Sequence, residues 1–136
     1  MRSRGVIARV PAKVNLQLAV GPLGTDGFHE VTTVFQAISL FDDVTVETAA
    51  ENNGISIQVT GQTSTGVPSD SSNLAVKAAT LMIKNYDLPS DINIKLKKEI
   101  PVAGGMAGGS ADAAGVIVGL DSLFELGLSR DCLLYT

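Results

Sequence analysis

The sequence contains one cysteine, Cys132, one histidine, His29, and no tryptophan. A single cysteine forms no disulfide within the chain, which is typical of proteins from a reducing compartment. The opening segment MRSRGVIARVPAK has no apolar stretch long enough for a signal peptide. No segment reaches the roughly 18 consecutive apolar residues of a membrane span. These absences predict a cytoplasmic protein with no membrane partner.

Clustered positive charge is also scarce. The 136 residues carry a net charge of -4, whereas a broad nucleic-acid surface needs grouped Lys and Arg to neutralise phosphates. We therefore expect no nucleic-acid partner. With 45% hydrophobic and 18% charged residues, the composition is that of one soluble globular domain, and the length leaves no room for a second full domain.

The first half of the chain is rich in β-forming residues. The runs RGVIARV, KVNLQLAV, VTTVFQAISL, DVTVETA and GISIQVTG are separated by Gly, Pro, Asn and Asp. Pro11 interrupts the first two runs, and residues 21–27 have the composition of a turn. The short connections predict an antiparallel meander.

The second half changes to a helical period. NLAVKAATLMIKNYDL predicts a helix capped within residues 70–73, and INIKLKK predicts a half-buried strand. SADAAGVIVGLDSLFELG predicts a second helix, with Ser110 or an adjacent residue as its N-cap and Gly127 as its stop. The predicted fold class is α+β, a mostly antiparallel sheet with helices packed on it.

Between this strand and the second helix lies the segment PVAGGMAGGSADAAG, residues 101–115. Glycines allow a close backbone approach, and a helix N-terminus presents free N–H groups, so this order favours anion binding, most naturally of phosphate. A Walker A loop would need a lysine after the glycines, and the dinucleotide fingerprint GxGxxG is not met. The alternative is a glycine-rich turn that serves only close packing of helix on strand.

Three segments in order resemble the GHMP kinase superfamily: PAKVNL at 11–16, GFHE at 27–30 and PVAGGMAGGSADAA at 101–114. Within it they are similar to the kinases of the non-mevalonate isoprenoid pathway. The resemblance runs from about residue 7 to about residue 130. It implies that residues 1–136 form a GHMP kinase N-terminal ATP-binding domain, a fold shared with ribosomal proteins.

The resemblance also implies an activity. ATP would be the phosphoryl donor, with Mg²⁺, and the acceptor would be the 2-hydroxyl of a cytidine diphosphate-linked methylerythritol. Two alternatives stay open: a non-catalytic nucleotide-binding module, or another GHMP small-molecule kinase. A nucleic-acid-binding domain of the same fold is disfavoured by the acidity of the chain.

Site residues follow from the matched motifs. Lys13 matches the catalytic lysine of the family, and Asn15 matches an asparagine that contacts the substrate. Phe28 and His29 match a pair that stacks on cytosine and hydrogen-bonds its edge, with Phe28 standing where Tyr is common.

For ATP, the resemblance assigns the glycine loop and two residues of the adenosine pocket, Asn73 and Lys98. The loop residues are Pro101, Val102, Ala103, Gly104, Gly105, Met106, Ala107, Gly108, Gly109, Ser110 and Ala111. Ala103 and Ala107 stand where glycine is frequent, which is harmless if their φ angles are negative. Asp112, where Asn is common, is interpreted as a first-turn acid favoured by the helix dipole. No residue is assigned as a metal ligand.

The family pattern continues past the end of this sequence. Its catalytic aspartate lies in an LGADVPF-like segment, roughly a dozen residues after the position of Ser129, and a second α+β domain follows. We therefore expect the chain to be an N-terminal fragment that is inactive by itself. The ending RDCLLYT, residues 130–136, matches no family feature and is a candidate foreign tail.

Overall fold

The computed structural model describes residues 4–134. The outermost residues of the predicted domain and tail, 1–3 and 135–136, lie outside the described residues. The described chain forms one sheet with helices on it. Its elements are β1 (Gly5–Leu23), β2 (His29–Thr48), β3 (Ile55–Thr60), α1 (Leu74–Tyr86), β4 (Ile92–Lys97), α2 (Gly108–Leu123) and α3 (Arg130–Leu134).

The strand order within the described sheet is β1-β2-β4-β3. β1 with β2 and β2 with β4 are antiparallel, whereas β3 and β4 are parallel. The predicted α+β class with a mostly antiparallel sheet is confirmed. The predicted meander is wrong, because a parallel pair needs a crossover, and α1 provides it between β3 and β4.

β1 and β2 are longer than the sequence predicted. Pro11 causes a register shift instead of ending the strand, and Asp42 and Asp43 continue β2 instead of breaking it. β4 pairs with β2 only from Asp43 to Thr48. Residues 13–37 of the hairpin, called the arm below, have no third strand beside them among the described residues and project as a two-stranded ribbon.

The core lies between the sheet and helices α1 and α2. Its strand side includes Val44, Val46 and Ile94. Gly115 lets α2 approach the sheet closely, because a Cβ there would lie 2.9 Å from Val10 Cγ1 and 3.0 Å from Val44 Cγ2. This close approach fixes the direction in which the N-terminus of α2 points.

The helix ends agree only in part with the sequence prediction. Asn73 caps α1, and its Oδ1 accepts a hydrogen bond from the Ala75 N–H at 2.9 Å. The Ser110 cap is wrong: α2 begins at Gly108, and its N-cap is Ala107, which makes no side-chain cap bond. Part of the candidate tail forms α3. No helix in residues 4–134 has the length and apolarity needed to cross a membrane.

Candidate functional site

A cavity of about 440 Å³ lies between the glycine loop, the first turn of α2 and the segment that leads into α1. One wall is the glycine loop from Pro101 to Ser110, and the floor includes Lys98 and Asp112. The opposite wall was not anticipated from the sequence. It consists of Gly66, Val67, Pro68, Ser72, Asn73 and Leu74.

The backbone of the glycine loop has positive φ at every second residue. Ala103, Gly105 and Ala107 have φ values of 57°, 70° and 57°. Negative φ, the condition under which alanine would be harmless at these two positions, is therefore not met. Alternation of this kind turns successive N–H groups toward one point and forms an anion-binding concavity.

The N–H groups of this loop are available to a ligand. Within residues 4–134, the backbone N–H groups of residues 102–110 donate no hydrogen bond. The first intrahelical bond of α2 runs from Ala111 N to the Ala107 carbonyl. The free amides at the N-terminus of α2 and those of the loop thus line the same cavity, where they favour a negatively charged guest.

Lys13 lies against the outside of this loop. Its Nζ donates hydrogen bonds to the Gly105 carbonyl at 2.8 Å and to Asn15 Oδ1 at 2.7 Å. Asn15 Nδ2 in turn donates to Thr33 Oγ1 at 3.0 Å. Lys13 Nζ also lies 5.2 Å from the centroid of the Phe35 ring. The structure thus brings Lys13 and Asn15 together on one face of the arm, next to the glycine loop.

Phe28 and His29 lie at the other end of the arm. His29 pairs with Leu23 in the register, whereas Lys13 pairs with Ala37. Eight residues of β2 separate the two positions, which is roughly 26 Å along a strand. The structure does not bring Phe28 and His29 into the cavity of the glycine loop.

The turn at the end of the arm presents an aromatic ring and an imidazole. Phe28 is 75% exposed, and its N–H donates to Asp26 Oδ1 at 3.0 Å. His29 Nδ1 lies 2.8 Å from the Gly21 carbonyl, which can only accept. The proton of a neutral imidazole therefore lies on Nδ1, and Nε2 is left as an acceptor facing outward.

Two of the predicted ATP-site residues have structural roles, and a third lies outside the cavity. Asn73 is buried, and its amide is used by the α1 cap and by the Pro68 carbonyl. Lys98 is 3% exposed and forms ion pairs with Asp42 and Asp112 at the cavity floor. Ala111 does not line the cavity. Asn73 and Lys98 border the cavity, but their polar atoms are already engaged.

Asp42, Lys98 and Asp112 form a buried charged cluster under the site. The first-turn interpretation of Asp112 is wrong: it is 2% exposed and paired with Lys98 at 2.7 Å. Burial raises the pKa of Asp112 to about 7, and the neighbouring Asp42 adds to the rise against the opposing effect of Lys98. The pKa of Asp42 is lowered, because hydrogen bonds from Ile100, Lys98 and Glu99 outweigh its burial.

The signal for this cluster was present in the sequence. Asp42 extends the inward alternation of β2 beyond Val44, and Lys98 extends that of β4 beyond Leu96. Asp112 lies three residues before Gly115, on the buried face of α2. Continuing each hydrophobic period past its last apolar residue would have identified all three.

The described residues do not form a metal site of their own. No group of three or more His, Cys, Asp or Glu side chains in residues 4–134 could hold a metal ion. The only carboxylate among the described residues that line the cavity is Asp112, which is already paired with Lys98. A divalent cation would have to enter with an anionic ligand that supplies most of its oxygens.

The fold and the cavity define the class of this protein. Residues 73–135 match the family model described as "GHMP kinases N terminal domain". This match covers α1 with its Asn73 cap, β4, the glycine loop and α2. The chain therefore has a GHMP kinase N-terminal domain, and the resemblance seen in the sequence is confirmed.

The relatives with similar sequences carry a more specific name. The chain is 51% identical over 125 residues to 4-diphosphocytidyl-2-C-methyl-D-erythritol kinase of Mycolicibacterium smegmatis. These 125 residues are 92% of this chain and 38% of the relative. The enzyme of the same name from Kineococcus radiotolerans is 51% identical over 129 residues, covering 94% and 39%. The chain thus spans about two-fifths of the length of these relatives.

A solved structure agrees with these relatives. The crystal structure of a 4-(cytidine 5'-diphospho)-2C-methyl-D-erythritol kinase is 34% identical and has a TM-score of 0.68, with 94% of this chain and 44% of that chain covered. The likeness therefore extends along β1, the arm, the glycine loop and α2.

Proposed function

We propose that this chain is the ATP-binding part of a kinase that phosphorylates the 2-hydroxyl of 4-diphosphocytidyl-2-C-methyl-D-erythritol. The main observation behind this proposal is the glycine loop. Residues 102–110 line one cavity, and their backbone N–H groups donate no hydrogen bond within the described residues. The names of the relatives support the choice of substrate. A cytoplasmic location is part of the same proposal.

The phosphates of ATP bind in the loop in this proposal. Backbone N–H groups that are already oriented stabilise the charge of a transferring phosphoryl group without further reorganisation. Ser110 lies in the first turn of α2, and its exposed hydroxyl lines the same cavity. The adenosine lies against the wall formed by residues 66–74.

Lys13 is proposed as the catalytic cation. Its Nζ bonds to the Gly105 carbonyl and to Asn15, which hold the ammonium at the junction of the loop and the arm. There it stabilises negative charge on the attacking hydroxyl and on the phosphoryl group. Asn15 positions Lys13 and offers an amide to the polyol end of the substrate.

The cytidine end of the substrate is proposed to bind at the turn of the arm. Phe28 offers a ring face for stacking on a base. His29 Nε2, an acceptor when Nδ1 is bonded to Gly21, accepts a hydrogen bond from the amino group of cytosine. The substrate then lies along the arm, which bends at its register shifts between Asn15 and Gln17 and between Val20 and Leu23.

Two components of the reaction, the Mg²⁺ ion and the general base, are proposed not to come from the described residues. Mg²⁺ would arrive bound to the ATP phosphates. The described cavity-lining residues supply one carboxylate, Asp112, which is buried and paired with Lys98 and is therefore not proposed as the base. We therefore propose that residues 1–136 bind ATP but transfer no phosphoryl group by themselves.

A charge placed in the first turn of α2 tests the ATP site. Ser110→Asp adds a negative charge at a position where the helix dipole tolerates it, so the fold is retained. ATP affinity, measured by calorimetry, is expected to fall about tenfold or more. A hydrogen bond from the Ser110 hydroxyl to a charged phosphate is worth about 1.5–3 kcal/mol, and the variant replaces it with a group of the same charge as the phosphate. Ser110→Asn has nearly the same shape without the charge and serves as the control.

The two variants separate the possible outcomes. Equal ATP affinity of Ser110→Asp and Ser110→Asn would place the nucleotide outside the loop and contradict the proposal. An assay of 4-diphosphocytidyl-2-C-methyl-D-erythritol phosphorylation by the wild-type chain checks the second part. Steady turnover by residues 1–136 would show that the chain already contains its own base.

A further inference from the structure

One oxygen in the buried cluster has no partner. Lys98 Nζ donates to Asp42 Oδ2 at 2.6 Å and to Asp112 Oδ2 at 2.7 Å. Asp42 Oδ1 accepts the N–H groups of Glu99 and Ile100 at 2.7 and 2.9 Å. Asp112 Oδ1 is buried and has no hydrogen-bond partner among the described residues. It is therefore the oxygen of the cluster that is least stabilised in the ionised form.

The cluster carries an uncompensated charge when all three groups are ionised. One ammonium and two carboxylates sum to -1, in side chains that are at most 3% exposed. Such a buried charge is costly because it has no partner of opposite sign. A single proton on Asp112 makes the cluster neutral.

The cluster lies next to the proposed phosphate site. Asp112 and Lys98 border the same cavity as Gly108 and Gly109. A Cβ on Gly108 would lie 3.2 Å from Lys98 Nζ, so the cluster is in contact with the first residue of α2. A polyphosphate on the loop therefore adds negative charge close to a buried charge of the same sign, and the two repel strongly in this poorly solvated place.

We propose that Asp112 is a positioning residue for the phosphate site that takes up one proton from solvent when a polyphosphate binds. Protonation removes the repulsion while the Lys98 contact keeps the N-terminus of α2 in place. The ion pair between Lys98 and Asp42 persists. This inference rests on the proposed binding of ATP to the glycine loop.

The surroundings of Asp112 favour this exchange at neutral pH. Burial raises the pKa of Asp112 to about 7, so the proton is gained or lost near the pH of a cell. The charged groups that face it are Lys98 from the end of β4 and Asp42 from β2. Asn73, the N-cap of α1, lines the same cavity and does not titrate.

Calorimetric titration with ATP tests the inference, using the 136-residue chain and Asp112→Asn in EDTA. Each titration is run at pH 6 and pH 8 in two buffers of different ionisation enthalpy, which gives the number of protons taken up. Comparison with Asp112→Asn cancels the titration of ATP itself. Asp121→Asn, a variant with the same loss of charge farther along α2, is the control.

On binding ATP, the wild type should take up nearly one proton more than Asp112→Asn at pH 8, and almost no additional proton at pH 6. Its ATP affinity relative to Asp112→Asn should fall about tenfold between pH 6 and pH 8, the change in protonated fraction of a group with pKa about 7. Asp121→Asn should behave as the wild type.

Each contrary result has a distinct meaning. Equal proton uptake by wild type and Asp112→Asn, with ATP bound by both, would overturn the role of Asp112 and leave the ATP site intact. Absence of ATP binding by the wild type at both pH values would overturn the proposed function and this inference together. If Asp112→Asn does not fold, wild-type proton uptake at pH 8 still decides, because a phosphate whose last pKa is about 6 is already deprotonated there. Absence of uptake at pH 8 overturns the proposal.

Discussion

Replacing Ala107 with glycine should stabilise the protein. Ala107 has φ of 57°, a left-handed conformation that costs an L residue with a Cβ roughly 1–2 kcal/mol. Glycine removes this cost but adds about 0.4–1 kcal/mol of chain freedom to the unfolded state. The net change expected for Ala107→Gly is a gain of about 0.5–1 kcal/mol in the free energy of unfolding.

The matched control is the same substitution seven residues later. Ala114 is exposed in the interior of α2, where the backbone is right-handed. Glycine there should lose about 1 kcal/mol of stability, the difference in helix propensity. Two identical substitutions are thus expected to act with opposite sign and to differ by about 1.5–2 kcal/mol.

Urea unfolding followed by circular dichroism measures both variants against the wild type. The slope of the free energy with urea should be unchanged, so that the midpoints report stability directly. A loss of about 1 kcal/mol in Ala107→Gly, equal to that in Ala114→Gly, would mean that residue 107 is not left-handed. The concavity that we assign to phosphate would then lose its geometric basis.

Three further predictions concern the site and its support. Lys13→Gln should reduce phosphoryl transfer at least 100-fold in an enzyme extended to the length of the relatives, because the charge of Lys13 acts mainly in the transition state. ATP affinity, measured by calorimetry, should change far less. An equal loss of phosphoryl transfer and of ATP affinity would make Lys13 a binding residue. Gly115→Ala should lower the free energy of unfolding, measured in urea, by about 1–3 kcal/mol, because its Cβ would lie 2.9 Å from Val10 Cγ1. Gly109→Ala is the control and should change the free energy of unfolding little, because its Cβ would contact only Leu74 Cδ1 at 3.6 Å. Equal losses of stability in the two variants would contradict the close packing at Gly115. Asp112 should make stability fall as pH rises from about 4 to about 7, with a slope of up to ~1.4 kcal/mol per pH unit. The reason is that its pKa in the folded protein, about 7, lies above the ordinary aspartate value of 3.8, so the folded state binds the extra proton. Urea unfolding at pH 5 and pH 8 should show this fall in the wild type and not in Asp112→Asn.

The sheet and helices could be predicted largely from local patterns. β4 was recognised because Ile92, Ile94 and Leu96 alternate inward, and all three are buried. α1 was predicted from its period and from the cap candidates at residues 70–73, of which Asn73 is the cap in the structure. Parallel pairing of β3 with β4 could not be predicted, because it depends on the path of α1 across the sheet and not on either strand alone.

The predicted breaks in β2 show why polar residues inside strands mislead. Asp42 has the composition of a turn, yet its carboxylate accepts two backbone N–H groups and the ammonium of Lys98. These partners come from residues more than 50 positions away. A local reading of the sequence cannot supply them, although the inward alternation of β2 indicated the direction of the side chain.

The site itself was predicted unevenly. The glycine loop and its neighbour Lys13 were identified from their motifs, and the structure brings them into contact through the Gly105 carbonyl. The left-handed alanines were not predicted, since alanine prefers other conformations and only the closed path of the loop imposes this one. The separation of His29 from Lys13 along the arm could not be predicted, because it depends on the pairing of β1 with β2.

The central claim is that the amides of the glycine loop hold the phosphates of ATP. A crystal structure of the chain with a non-hydrolysable ATP analogue tests it most directly. We predict phosphate oxygens about 3 Å from backbone nitrogens within residues 102–110, with the adenosine against residues 66–74. Phosphates bound at another surface, such as the exposed cations Arg9 and Lys97, with the loop amides left free, would contradict the account.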